Sequence, residues 1–159
     1  MFLIAKFKIA ILLGFFIVIT IFSCGFEPAS TKIKPKFLEI GDTIAFCAPS
    51  GFLDSARMSL AKKRLEERGF LTVQSDSLFR NWGYLAGKDE ARANELMHYF
   101  QEKSVKAIFP GTGGYGATRI LPLLDFEIIS DNPKIFIGFS DITALHIAVS
   151  YTHLRAHET

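Results

Sequence analysis

Lys134-Ile135-Phe136-Ile137-Gly138-Phe139-Ser140-Asp141-Ile142-Thr143-Ala144-Leu145-His146 is the stretch on which the reading of this chain turns. Ile135–Ile137 is a short apolar run of the kind that forms a buried strand. Gly138 ends it, and a helix-prone segment begins after Ser140 and Asp141. Such a strand–turn–helix elbow lifts a hydroxyl out of the sheet and aims the first backbone N–H groups of the helix at whatever the hydroxyl attacks. Ser140 is therefore a candidate nucleophile. The competing reading is a plain helix cap, because Ser and Asp are favoured N-caps and the glycine that closes the usual elbow motif is Ile142 here.

Upstream, Val105–Phe109 reads as another strand and runs into Pro110-Gly111-Thr112-Gly113-Gly114-Tyr115-Gly116, then Ala117–Leu121. Gly111, Gly113 and Gly116 spell the spacing of a dinucleotide loop. Three features oppose that reading. Pro122 stops the following helix early, the fingerprint normally sits on the first strand, and Thr43–Cys47 already supplies an earlier one. The glycine loop and the serine elbow instead follow adjacent strands and open at one sheet edge, where the glycines can offer an oxyanion donor to Ser140.

The remaining order is strand Asp42–Phe46, helix Asp54–Gly69 (Met58, Leu60, Ala61 and Leu65 inward), strand Phe70–Gln74, loop Asp76–Gly87, helix Asp89–Glu102 (Ala93, Leu96, Met97 and Phe100 inward), and the two strands already described. Strands alternating with helices predict an α/β unit, a mostly parallel sheet with helices on both faces.

Together these residues resemble the serine LD-carboxypeptidases, the family of muramoyltetrapeptide carboxypeptidases and microcin-immunity peptidases. The resemblance rests on Gly113–Gly116, Leu121–Asp125, Asn132–Lys134 and Gly138–Leu145, with Ala48–Gly51 and Leu85–Arg92 upstream. It covers about residues 37–148 and implies the Rossmann- or flavodoxin-like N-terminal domain of a two-domain peptidase. It further implies Ser140 as nucleophile, and the backbone N–H groups of Gly114 and Asp141 as oxyanion hole. The family's histidine base and orienting glutamate come from a C-terminal domain, so a chain holding the N-terminal part alone should be inactive. Thr112 departs from the family pattern, where arginine is common, and leaves the subfamily open.

The resemblance implies a muropeptide substrate cut at an L–D bond, with release of terminal D-alanine and no cofactor or metal. Hydrolysis of a peptide–nucleotide antibiotic and non-catalytic binding of cell-wall peptide stand as alternatives, and a homodimer stays open. His146 lies six residues up the helix from Ser140 and His98 on another helix, so neither suits as base. Arg119 is read either as a partner for a substrate carboxylate or as a solvated helix residue. Asp125 is read as capping or pairing locally, with no assigned role in the chemistry, and Trp82 and Tyr84 as cleft or core cover. The Asp141 carboxylate is read as capping its own helix.

At the N-terminus, Lys6 and Lys8 precede the uncharged apolar run Ile9–Phe22 and then Ser23-Cys24. That pattern reads as a signal over residues 1–24, with Cys24 as the lipid-bearing residue of an envelope lipoprotein; an ordinary signal or an uncleaved anchor is the alternative. Residues 25–36 read as a tether. Residues 149–159 read as a frame-fused sequencing-adapter translation, which removes His153 and His157 as metal ligands. Without Lys6, Lys8, Arg155 and Glu158 the basic and acidic residues are equal in number. There is no basic excess to attract nucleic acid. Cys47 is left without a partner for a disulfide and reads as a small core residue.

Overall fold

The computed structural model describes residues 34–154, so the signal segment, Cys24, most of the tether and residues 155–159 lie outside the described residues. The elements run β1 Thr43–Cys47, α1 Ser55–Glu66, β2 Leu71–Gln74, α2 Asp89–Gln101, β3 Val105–Pro110, α3 Ala117–Ile120, α4 Phe126–Asp131, β4 Ile135–Phe136 and α5 Thr143–Leu154. Single 3-10 turns occupy Leu121–Leu123 and Ser140–Ile142. The sheet order is β2-β1-β3-β4, and every neighbouring pair is parallel. All four strands therefore finish at one end of the sheet, and every connection must cross a face.

β1 is central, and its side chains alternate between two cores. Phe46 and Ala48 pack with Met58 of α1 and with Leu53, Leu78 and Ala86. Ala45 and Cys47 face the larger core, which takes Leu96 and Phe100 of α2, Ile120 of α3, Ile129 of α4 and Leu145 of α5. The predicted sheet with helices on both faces is what the structure shows. Cys47 is fully buried, and burial, with the nearby Glu95 charge adding to it, pushes its thiol well above its ordinary value. That is a core residue rather than a nucleophile.

Local chemistry accounts for the helix limits. Asp54 accepts the Arg57 N–H at 2.8 Å to start α1, and Gly69, at φ +86°, lies beyond its end. The structure departs from the sequence reading, or adds to it, at three points. Leu60 of α1 is half exposed rather than inward, and the helix packs on the core through Met58, Ala61 and Leu65 instead. The interval after Leu124 forms α4, started by Asp125, whose Oδ1 accepts from Glu127 N (3.0 Å) and Ile128 N (3.1 Å). The helix pattern also does not stop at Ala148. α5 runs to Leu154, and Val149 is buried with Leu145 and Ile142 at helical spacing. No helix among the described residues is long and apolar enough to cross a membrane.

Candidate active site

The elbow forms in the predicted order, although the strand before it is a half-buried edge strand of two residues with Ile137 exposed, and its backbone is unusual. Ser140 has φ +58°, the only non-glycine residue with positive φ among the described residues. A serine in this region costs of order 1–3 kcal/mol and persists only where the surroundings over-determine it. Two glycines supply that constraint. A Cβ on Gly138 would lie 2.4 Å from Ile142 Cγ2, so the 3-10 turn can fold back tightly on the strand end. A Cβ on Gly113 would lie 2.9 Å from Ser140 Cβ and 3.2 Å from its Oγ, so the glycine loop is pressed against the elbow. Gly114, named with Asp141 as an oxyanion donor, is the next residue of that loop. Ser140 itself is exposed.

The Asp141 carboxylate does not cap its own helix. Its Oδ2 accepts the Ser50 hydroxyl at 2.5 Å and the Ala117 N–H at 2.8 Å. Gly116, at the N-cap of α3, has no side chain to do this, so Asp141 caps α3 from across the site. The contact also argues against a dinucleotide. A carboxylate sits where a phosphate would need the helix N-terminus, and α3 is only four residues long.

The β1 loop completes the arrangement. The Gly51 N–H donates to Gly113 O at 3.1 Å. Ala48 N–H donates to the buried carboxylate of Glu95 (3.0 Å), which also accepts from Ser75 Oγ and Arg80. Arg92 is fully buried and gathers the loops through its guanidinium. Nη1 donates to Pro49 O and to Gly116 O (2.9 Å), Nε to Gly87 O (3.2 Å), and Nη2 to Asp89. Ser50, Asp89, Arg92 and Glu95 were not singled out in the sequence as site-building residues. Only the position of Ser50 just past β1, at the ligand-binding end of the sheet, pointed toward it.

The other candidates are placed as follows. Arg119 is an exposed residue of α3, and its guanidinium is already engaged. Its Nε and Nη2 grip Asp89 at 2.8–3.1 Å. His98 is exposed beside Tyr99, while His146 packs edge-on against Phe136 with its Nε2 buried. Neither is brought to Ser140. Trp82 and Tyr84 are more than half exposed, so they do not cover the core; Lys88 lies over Trp82, and Tyr84 meets Tyr115 edge-on. A cavity of about 550 Å³, lined by Lys36, Lys106, Asp131 and Lys134 among others, opens where the strands begin and contains none of the candidate site residues.

Hydrogen bonds from Arg119, and then from Arg92, hold the Asp89 carboxyl below its ordinary value of 3.8. A carboxylate favoured in the folded state contributes stability above its unfolded value, and that contribution is lost as pH falls through the lower folded value. Stability should therefore fall below about pH 3.8 more steeply than in Asp89→Asn. Acid titration followed by circular dichroism checks this, and parallel curves for the two proteins would count against it.

Comparison with known proteins places the fold in a family. The family model described as LD-carboxypeptidase N-terminal domain matches residues 44–157. A probable murein peptide carboxypeptidase of Bacillus subtilis is 41% identical over 120 residues, 76% of this chain and 38% of the relative. Among solved structures, an MccF-like protein from Bacillus anthracis superposes with a TM-score of 0.72 at 34% identity, covering 76% of this chain and 38% of that one. Muramoyltetrapeptide carboxypeptidase from Oxalobacter formigenes gives a TM-score of 0.61 at 29% identity, covering 67% of this chain and 36% of that one. The chain thus spans well under half the length of each of these proteins.

Proposed function

Because the chain belongs to the LD-carboxypeptidase family, and the match is to that family's N-terminal domain, we propose that it carries the nucleophile of a serine carboxypeptidase acting on murein tetrapeptides. The bond cut is the L–D peptide bond to the terminal D-alanine. The observation that carries this reading is Ser140, exposed at φ +58° on the elbow with the glycine loop packed against it.

The Ser140 Oγ attacks the scissile carbonyl carbon while a general base takes its proton. The N–H groups of Gly114 and Asp141 receive the developing oxyanion, the term that usually dominates acyl transfer. The C–N bond then breaks, D-alanine leaves with the proton, and water hydrolyses the Ser140 ester. No described histidine reaches Ser140. The base and its orienting glutamate belong, on this reading, to the length of the relatives that this chain does not span, and the chain alone is inactive. No step calls for a metal or organic cofactor. Cys24, outside the described residues, is proposed as a lipid anchor holding the domain at the cell envelope.

A second reading, hydrolysis of a peptide–nucleotide antibiotic, is supported by 33% identity over 111 residues to the microcin C7 self-immunity protein MccF of Escherichia coli. One assay separates the two. The chain is continued into the remaining portion of the Bacillus subtilis relative and offered a disaccharide tetrapeptide and, separately, a peptidyl sulfamoyl nucleoside. Release of D-alanine by the chimaera, and none by the 159-residue chain, supports the proposal. Turnover of the nucleoside alone supports the second reading. Inertness toward both, in a folded chimaera, leaves a non-catalytic cell-wall-peptide binder.

A further inference from the structure

We propose that the side chains of Asp141 and Ser50 form a clasp that holds the two oxyanion donors in register, which makes both of them positioning residues for acyl transfer at Ser140. The inference rests on the reading of Ser140 as nucleophile.

One oxygen, Asp141 Oδ2, receives the hydroxyl of Ser50 and the N–H of Ala117. Ser50 follows β1, Ala117 follows β3 and Asp141 follows β4, so three connections from three strands converge on that oxygen. The glycine loop is thereby tied on both sides of Gly114. On one side Gly113 O accepts from Gly51 N–H at 3.1 Å, and on the other Ala117 N–H donates to Asp141. Gly114 also lies against the β1 loop, since a Cβ there would be 3.3 Å from both Gly51 Cα and Gly51 N. The two donors thus sit on loops with no shared strand, and Asp141 links them by carrying one donor on its backbone and fastening the other loop with its side chain.

Simple capping of α3 does not account for the arrangement. A cap needs only the Ala117 bond, whereas Ser50 is fully buried and spends its hydroxyl on the same oxygen. A carboxylate bond from a hydroxyl is stronger than a neutral one and fixes the Asp141 rotamer. Displacement of a reacting group by about 1 Å costs roughly a hundredfold in rate, so a bond that sets loop register to a few tenths of an ångström bears directly on the chemistry.

The test uses the full 159-residue chain with methylboronic acid, and so needs no general base from elsewhere. The Ser140 oxygen bonds to boron, boron becomes tetrahedral and anionic, and the hydroxyl proton passes to the buffer. The tetrahedral adduct is read by boron NMR as a signal that Ser140→Ala removes. Ser50→Ala and Asp141→Ala should each weaken the adduct about tenfold or more, by analogy with the loss of an oxyanion donor. Ser50→Thr, which keeps the hydroxyl, should restore it. Equal adduct affinity in wild type, Ser50→Ala and Asp141→Ala overturns the clasp and leaves the nucleophile standing. Absence of a Ser140-dependent adduct in wild type overturns both. Should Asp141→Ala unfold the chain, Ser50→Ala against Ser50→Thr decides, at matched melting temperature.

Discussion

Ser140→Gly should abolish D-alanine release by the chimaera proposed above and at the same time make this domain more stable. The catalytic loss is the larger effect. Removing the nucleophile from a serine hydrolase lowers kcat by about a millionfold, because the remaining groups lose the covalent route they serve. The stability gain comes from the backbone. At φ +58° a Cβ is crowded by the adjoining carbonyl, a strain of about 1–2 kcal/mol that glycine does not carry. Part of that gain is offset by the greater freedom of glycine in the unfolded chain. Ser140→Ala keeps the Cβ, so it should lose the same activity without the gain. D-alanine release by the chimaera and denaturant midpoints of the 159-residue chain give the two readouts. A glycine variant less stable than the alanine variant would show that the elbow is not strained.

Arg92→Leu should cost about 3–5 kcal/mol, the loss typical when one member of a buried ionic cluster is removed. The arginine is fully buried, and the carbonyls of Pro49 and Gly87 accept from it, as does that of Gly116, which also accepts the Arg119 N–H at 3.2 Å. Leucine fills part of the volume and satisfies none of them, and each buried carbonyl left unpaired carries its own desolvation cost. Asp89 keeps Arg119, so the carboxylate is the group least affected. Lysine should rescue little, because a single ammonium cannot serve a fork of acceptors spread over three loops. Against a total stability of about 5–15 kcal/mol for a domain, the loss brings the chain near its folding threshold. Urea unfolding checks it, and a midpoint within experimental error of wild type would contradict this account of Arg92.

The difference between Ser140 and Arg92 also marks what is legible in this sequence. The elbow is a local motif in which apolar run, glycine, serine and helix lie within thirteen consecutive residues, and the structure keeps them in that order. The helices α1 and α2 and the strands are legible for the same reason, since their periodicity is carried by neighbours in sequence. The carbonyls that Arg92 binds lie 43, 5 and 24 residues away. Nothing in its own surroundings, Asp89-Glu90-Ala91-Arg92-Ala93, distinguishes a buried fork from a solvated one. The Asp141 carboxylate is the same case in miniature. Its capping preference is readable, but the helix it caps begins 24 residues upstream. The α4 helix was readable in principle, with Asp125 as N-cap and Pro133 as stop, but it is only six residues long. Short amphipathic segments of that length leave too few turns for a periodic signal.

A sheet whose strands all run one way has two unlike poles, and this chain uses them differently. Residues 34–42 lead into β1 at the pole where the strands begin, while Ser50, Gly113 and Ser140 sit at the pole where they finish. Each strand spans only about 3.3 Å per residue, so the poles are separated by little more than one strand length, yet they face opposite ways. The chain therefore enters β1 from the rear of the domain, through residues 34–42. The candidate site of Ser50, Gly113 and Ser140 faces away from that entry, so the side by which the chain arrives and the side on which the exposed serine stands are opposite.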